Sequence, residues 1–235
     1  MEYNLTALIE RFDTRLHGHT GLTGRLSSLI GEAVLLDGVA HAYNSLGHRV
    51  SARGDRPHRD NAAFVDVGAE IPSQRDLDAW LVLDNSRLVA VECKTWTSSS
   101  MDGRSVARDS VQGLASREWQ ELEAEHFQAS LWTAVNKIGL PLKTPEGFDP
   151  AATERVLAVW RPVSEDGRSP WSETSMDSIV GGRLAPVTVK VFSMSLYVRA
   201  LLEAGVETIP CLVTDTDVVV SALDAVCVRE VAHVS

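Results

Sequence analysis

The spacing of apolar positions in the first part of the chain is typical of helices. Residues 3 to 16 form an amphipathic stretch that ends in a glycine-punctuated turn, GHTGLTG. From residue 26 to residue 46 apolar side chains recur at helical intervals, and Gly47 follows where a helix C′ glycine is expected. The pattern predicts a helical lead over residues 1 to 25 and a long helix after it.

The pattern then changes to that of strands. A short strand is predicted over residues 48 to 52, and the arginine-rich stretch RGDRPHRDN that follows is predicted to be a loop, because it is poor in apolar residues. Two runs rich in Val and Leu, residues 77 to 83 and 88 to 95, flank the turn-forming residues DNSR. We therefore expect these two strands to pair as a hairpin.

Helices and strands alternate through the rest of the chain. A long amphipathic helix is predicted over residues 105 to 137, a buried strand over 155 to 160, and an irregular excursion over 163 to 183. The segments VTVKVF, SLYVRALLEAG and VETIPCLV then predict a strand, a helix and a strand. Because the middle strands are apolar on both faces, the sequence predicts one main α/β domain over residues 26 to 235, with helices covering the sheet.

Composition and charge narrow the classes of function. The chain has 235 residues, 44% of them hydrophobic, which is enough to bury a sizeable core. Its net charge of −10 argues against a protein that coats nucleic acid nonspecifically, because duplex affinity depends on lysine and arginine. The cysteines Cys93, Cys211 and Cys227 are widely spaced and form no CxxC pair, so neither a disulfide framework nor a zinc site is indicated.

Neither a targeting segment nor a membrane span is evident. The stretch MEYNLTALIERF has no basic n-region and no apolar h-region. No later apolar run approaches the ~20 residues that are needed to span a bilayer. We therefore expect a cytoplasmic protein with no membrane association.

The segment RDLDAWLVLDNSRLVAVECKTW carries side chains suited to catalysis. Side chains alternate along a strand, so Glu92 and Lys94 share one face while Cys93 points the opposite way. This acid and this base follow directly after the apolar residues LVAV. Burying a charge is costly unless the charge is paired or bound to a metal, so the pattern indicates a functional site at the end of this strand.

Asp78 opens the preceding strand, and a hairpin would bring it beside Glu92 or Lys94. Opposed residues in an antiparallel pair share a face, so the register must place Asp78 opposite one of these two. A three-residue loop at residues 85 to 87 would put Asp78 opposite Lys94. Two carboxylates that converge with a carbonyl oxygen form a hard-oxygen site suited to Mg²⁺ or Mn²⁺.

An acid ahead of an apolar strand, then further apolar residues and Glu-x-Lys in the spelling ECKT, resembles the PD-(D/E)xK nuclease superfamily. The segment LIGEAVLLDGVAHAYNSLGHRV, with Glu32 ahead of a Gly-ending turn, is similar to the helix with which these enzymes commonly begin. The resemblance implies a restriction-endonuclease-like fold, a mixed β-sheet core flanked by helices, over residues 26 to 235. No proline precedes the acid, and Asp76 competes with Asp78 for its role.

The resemblance also implies a role for each residue of the site. Asp78 and Glu92 would bind Mg²⁺ or Mn²⁺ together with the main-chain carbonyl of Cys93. Glu32 would add a direct or water-mediated contact to the metal. Lys94 would orient or deprotonate the attacking water.

The implied activity is divalent-metal-dependent hydrolysis of phosphodiester bonds in nucleic acid, with DNA favoured over RNA, in prokaryotic defence or repair. Because cutting both strands of a duplex needs two such sites, we expect a homodimer or a partner protein. Two alternatives stay open. The chain could be a catalytically inactive nucleic-acid-binding or assembly subunit of the same fold, or its acid and lysine could form only a structural ion pair, with the function elsewhere on the chain.

Basic residues near the motif are the candidate contacts for nucleic acid, because phosphate contacts come largely from arginine and lysine. The candidates are Arg53, Arg56, Arg59, Arg104 and Arg108. Asp37, on the same helix as Glu32, is expected to lie on the surface.

Overall fold

The structure is a computed structural model that describes most of the predicted elements. It covers residues 2–14, 22–55, 64–65, 78–94, 111–124, 138, 142, 144–145, 147–180 and 183–211. The helices with described bounds are α1 (Leu5–Thr14), α2 (Leu22–Ser45), α3 (Val111–Ala124) and α4 (Met194–Glu203). The described strands are β1 (Glu2–Asn4), β2 (Val50–Asp55), β3 (Phe64–Val65), β4 (Ala79–Leu83), β5 (Arg87–Lys94), β6 (Thr144–Pro145), β7 (Glu154–Val159), β8 (Trp171–Val180), β9 (Arg183–Ser193) and β10 (Thr208–Pro210).

Six of these strands form one mixed sheet in the order β2-β4-β5-β7-β9-β8. β2, β4 and β5 are antiparallel neighbours, β5, β7 and β9 are parallel, and β8 is antiparallel to β9. Two smaller pairings join β1 to β10 and β3 to β6. The chain is therefore a mixed α/β protein with a mixed sheet and helices, which confirms the predicted class.

Helices cover both faces of the large sheet, because its central strands are apolar on both sides. On the first face, odd-numbered residues of β5 such as Val89 and Val91 belong to one buried cluster with residues of α1, α2 and α4. On the second face, even-numbered residues such as Leu88 and Ala90 belong to a cluster with Trp119 of α3. The alternation of side chains along β5 thus assigns each of its residues to one of the two faces.

The β4–β5 hairpin joins the two halves of the sequence motif. Its ladder begins with the pair Leu83–Arg87, which leaves a loop of three residues. The first two, Asp84 and Asn85, have φ of 53° and 61°, a left-handed conformation that Asp and Asn tolerate better than most residues. The loop thus spans residues 84 to 86 rather than residues 85 to 87, the position that would have set Asp78 opposite Lys94.

Helix α2 is the long helix that the apolar spacing predicts. It begins at Leu22 and runs without interruption past residue 25, where the predicted lead ends. At its C-terminus the amide of His48 donates to Tyr43 O, and the chain between them turns through Gly47 with φ of 87°. This bond and this conformation form a Schellman-type cap, which confirms the predicted role of the glycine.

The N-terminal residues differ from the prediction. Residues 2 to 4 form β1 rather than the start of a helix, and Tyr3 pairs with Ile209 of β10. α1 begins at Leu5, whose side chain is fully buried in the first-face cluster. Helical periodicity could not reveal β1, because the strand that holds it comes from the far end of the described chain.

Two stretches predicted as irregular contain strands. β2 continues through Arg53 to Asp55 into the expected loop, because its backbone pairs with β4 there. Residues 171 to 180, inside the expected excursion, form β8, which pairs with β9. Both are outer strands of the described six-stranded sheet, and outer strands tolerate polar sequence better than central ones.

The remaining predicted elements agree with the structure to within a few residues. β7 occupies residues 154 to 159, and α4 matches the helix expected in SLYVRALLEAG. α3 lies inside the helix predicted over residues 105 to 137, whose ends fall outside the described residues. None of the helices in the described part of the chain combines the length and hydropathy of a membrane span.

Candidate functional site

The end of β5 places an acid and a base on the second face of the sheet. Glu92 follows Ala90 on this face and is 0% exposed. Its Oε1 accepts a hydrogen bond from the Lys94 ammonium, and the two side chains form an ion pair. The Lys94 side chain is 22% exposed. The pair therefore joins a fully buried carboxylate to a lysine whose side chain is partly exposed.

Asp78 lies one residue before β4 and contacts the end of β5. Continuing the β4–β5 register places it opposite Glu92, whereas the loop predicted at residues 85 to 87 would place it opposite Lys94. Of the two residues that the register requirement allows, Asp78 therefore faces Glu92, because the loop starts one residue earlier. Asp78 Oδ2 accepts a hydrogen bond of 2.7 Å from Cys93 N, which fixes the carboxylate beside the Glu-x-Lys residues. Asp76 lies outside the described residues, so its competition with Asp78 stays open.

Charges from both faces act on Cys93, whose thiol is buried in the first-face cluster with residues of α2. Burial raises the pKa of this thiol well above its usual value, and the carboxylates of Asp78, Glu32 and Glu92 raise that pKa further. The Lys94 ammonium acts in the opposite direction on the same pKa. The four charged groups of the predicted site therefore all contribute to the electrostatics at residue 93.

The oxygens at the end of β5 already hold a cation in this structure. The Lys94 ammonium donates to Glu92 Oε1 and also to Cys93 O, at 3.2 Å from the carbonyl. Carboxylate and carbonyl oxygens are the ligands that Mg²⁺ and Mn²⁺ prefer, so the donor chemistry fits such an ion. Within the described ranges, no group of three or more His, Cys, Asp and Glu side chains is arranged to hold a metal. An ion bound here would thus complete its shell with backbone, water or substrate oxygens, as Mg²⁺ commonly does.

The candidate nucleic-acid contacts stay predictions. Arg53 lies in β2, where its backbone is paired with Leu81 of β4. Arg56, Arg59, Arg104 and Arg108 fall outside the described residues.

A second buried ion pair lies near this strand end, and the sequence analysis did not identify it. Arg161, which follows β7, is paired with Glu118 of α3, and both residues are buried. The preceding residue, Trp160, donates from its amide to Lys94 O at 3.3 Å. The only sequence signal was an acid within the apolar face of α3 and an arginine directly after a buried strand. No local spacing connects them, because the two residues are 43 positions apart.

The expectation that Asp37 lies on the surface is wrong. Its side chain is fully buried in α2. Tyr3 OH donates to Asp37 Oδ2 at 2.9 Å, and Cys211 Sγ donates to Tyr3 OH at 3.3 Å. The β1–β10 pair brings these partners to α2. The Asp37 carboxylate, which the helix pattern predicts to be exposed, is therefore enclosed by strands from both ends of the described chain.

Comparison of the chain with protein-family models, with curated proteins and with solved structures finds no match.

Proposed function

We propose that this chain is a divalent-metal-dependent nuclease of the PD-(D/E)xK type that hydrolyses phosphodiester bonds, with DNA as the favoured substrate. The observation that carries the proposal is the fully buried carboxylate of Glu92, bound by Lys94 and flanked by Asp78 at the same strand end. These three residues stand at the positions that the sequence resemblance assigns to metal binding and to activation of water.

The burial of Glu92 supports a functional reading of the motif. Removing a carboxylate from water is unfavourable, and a buried ion pair often contributes no more stability than apolar side chains of similar volume. Apolar neighbours on the same face, such as Leu88 and Ala90, show that this environment suits apolar residues. A charged pair at this position is more readily explained by a binding or catalytic role than by stability.

The architecture also agrees with the proposal. The resemblance implies a restriction-endonuclease-like fold, a mixed sheet flanked by helices. The order of the described elements is helix α2, the antiparallel strands β2, β4 and β5, helix α3, and strand β7 parallel to β5. This order carries Glu32 on the helix ahead of the hairpin and Asp78 and Glu92 on the hairpin itself.

In the proposed mechanism, the side chains of Asp78 and Glu92 and the carbonyl of Cys93 would hold the metal, and Glu32 would add a direct or water-mediated contact. A divalent ion bound there would acidify a water molecule and neutralise phosphate oxygens. Asp78 is oriented for this task by its bond to the Cys93 amide. The partly exposed Lys94 side chain borders on solvent, and its ammonium would orient the attacking water and stabilise negative charge on the phosphate.

Cleavage of both strands of a duplex needs two such sites. We therefore propose that the chain acts as a homodimer or with a partner protein. A role in prokaryotic defence or repair is the setting that the resemblance suggests.

A second candidate is a catalytically inactive nucleic-acid-binding or assembly subunit of the same fold. The net charge of −10 favours the assembly role, because such a subunit need not bind phosphates itself. The two candidates differ in one property that is simple to measure, because only the first requires metal-dependent turnover.

The decisive experiment is cleavage of supercoiled DNA, single-stranded DNA and RNA by purified protein with Mg²⁺ or Mn²⁺. We expect Glu92→Gln and Lys94→Met each to reduce the cleavage rate by ~100-fold or more, because each removes a group that acts on the reacting atoms. Cleavage that persists in Glu92→Gln would exclude this site as its source.

The chain offers a matched control at the opposite end of the sheet. Lys190 Nζ lies 3.1 Å from Glu154 Oε1, in another Lys–Glu ion pair between neighbouring strands. Glu154→Gln and Lys190→Met should retain the wild-type rate. If these variants lose as much activity as Glu92→Gln, the loss reflects stability rather than catalysis.

A further inference from the structure

The contacts of Lys94 overlap with those of the proposed metal ion. Its ammonium donates to Glu92 Oε1 and to Cys93 O, with a separation of 3.2 Å from the carbonyl. These are two of the oxygens that would hold the metal under the proposed function, on which this inference rests. A metal ion and a lysine ammonium cannot occupy the same position between two oxygen atoms.

We propose that Lys94 is a placeholder cation, which holds the metal site in the metal-free protein and is displaced from Glu92 and Cys93 when a divalent ion binds. Metal loading then has two consequences at once. The carboxylate exchanges one cation for another, and the lysine is released toward the substrate side.

The burial of Glu92 explains why a placeholder is needed. A carboxylate that is 0% exposed would be strongly disfavoured without a positive partner, so the metal-free protein requires a cation at this position. Lysine suits that role, because its ammonium is a compact charge on a flexible four-carbon stem. The Lys94 side chain keeps 22% exposure, so it borders on solvent into which the released ammonium can move.

Displacement also links metal binding to catalysis. While Lys94 is bound to Glu92 and Cys93, its ammonium points at the metal ligands rather than at a water molecule or a phosphate. Release by the metal would supply the free ammonium that the proposed mechanism uses. Before metal binding, Lys94 thus neutralises the carboxylate of Glu92. Only after metal binding does its ammonium become available to act on water and phosphate.

The test is calorimetric titration of Mn²⁺ into the protein without nucleic acid. We expect Lys94→Met to bind Mn²⁺ about tenfold or more tightly than the wild type, because no cation must be displaced. Lys94→Arg should bind Mn²⁺ more weakly than the wild type, because a guanidinium holds a carboxylate through two parallel bonds. A lysine that is merely a nearby positive charge predicts equal affinities for the lysine and arginine proteins.

Controls separate the outcomes. Lys190→Met should leave the Mn²⁺ affinity unchanged, because its ion pair with Glu154 lies at the other end of the sheet. If Lys94→Met does not fold, Lys94→Gln, which keeps a hydrogen-bond donor toward Glu92, should show the same tighter binding. Thermal unfolding of each protein identifies a folding failure directly.

Each result then has one meaning. Tighter binding by Lys94→Met together with weaker binding by Lys94→Arg supports the placeholder role. If the wild type and Lys94→Arg both bind Mn²⁺ too weakly to measure, measurable binding by Lys94→Met supports it. Equal or weaker binding by Lys94→Met, beside measurable binding by the wild type, overturns the placeholder and leaves the proposed metal site in place. Absence of binding in all the folded proteins overturns both the metal-dependent function and this inference.

Discussion

Gly167, in the segment between β7 and β8, packs closely against helix α3. It has φ of 72°, and a Cβ added to it would lie 2.6 Å from Gln112 O and 2.7 Å from Ser116 Oγ. The segment is bonded to the helix three residues before this contact. Ser164 N donates to Ala115 O at 3.2 Å, so the glycine cannot move away without losing a hydrogen bond to the helix. We expect Gly167→Ala to destabilise the fold through backbone strain and through this steric conflict.

The expected change in the free energy of unfolding combines two destabilising contributions and one stabilising contribution. A left-handed conformation costs an alanine ~1–2 kcal/mol. Inserting a methyl group into a filled space costs ~1–3 kcal/mol. One of the atoms that it would meet, Gln112 O, belongs to the helix backbone and cannot rotate away. The lower entropy of the unfolded alanine chain returns roughly 0.4–1 kcal/mol. We therefore expect the free energy of unfolding to fall by about 1–5 kcal/mol.

Gly205 provides the matched control for this substitution. Its φ of 79° is similar, but nothing lies within 4 Å of an added Cβ. Gly205→Ala should therefore carry only the backbone cost, about 1 kcal/mol. Urea unfolding followed by circular dichroism measures both variants, and unchanged m-values would show that the unfolded states are comparable. Losses that agree to within ~0.5 kcal/mol would refute the close contact between this segment and α3.

Three further substitutions test the buried polar groups. Glu118→Gln should lower the free energy of unfolding by about 3 kcal/mol or more in urea titrations, because it breaks the ion pair with the buried Arg161. Adding Arg161→Met to the same protein should recover part of the loss. Tyr3→Phe should cost ~1–3 kcal/mol in the same assay, because it removes the donor to the buried carboxylate of Asp37. Partial burial lowers the pKa of His41 below its usual 6.5. The contribution of the neutral imidazole to stability is therefore full above pH 6.5 and is lost as the pH falls through the lowered pKa. His41→Gln should therefore lose less stability than the wild type between pH 7 and pH 5, and equal losses would contradict this assignment.

Much of the candidate site could be predicted from local sequence. The two-residue period of a strand is enough to put Glu92 and Lys94 on one face and Cys93 on the other, and the burial of both β5 faces agrees with it. The turn residues DNSR predict the hairpin, and the requirement that Asp78 share a face with Glu92 or Lys94 is met by its three-residue loop. The position of that loop was missed by one residue, although Asp84 and Asn85 are the two residues best able to adopt its left-handed conformation.

The fold, like the candidate site, could be predicted where it depends on local sequence. The helical period and the C′ position of Gly47 predict α2, because a helix and its cap depend on neighbours within a few positions. The edge strand β8 was missed, because its polar sequence does not show an apolar period and its pairing with β9 supplies the backbone bonds. The strand order of the sheet lies beyond any local pattern as well.

The sequence by itself determined the main helices and the central strands, the α/β class and the common face of Glu92 and Lys94, since each of these depends on residues that are near one another in the chain. Only the tertiary structure decided that Asp78 is held by the Cys93 amide, that Arg161 is paired with Glu118, and that Asp37 is buried. Each of these depends on how strands and helices from distant parts of the chain come together, and burial and hydrogen bonding follow from that arrangement rather than from any spacing in the sequence.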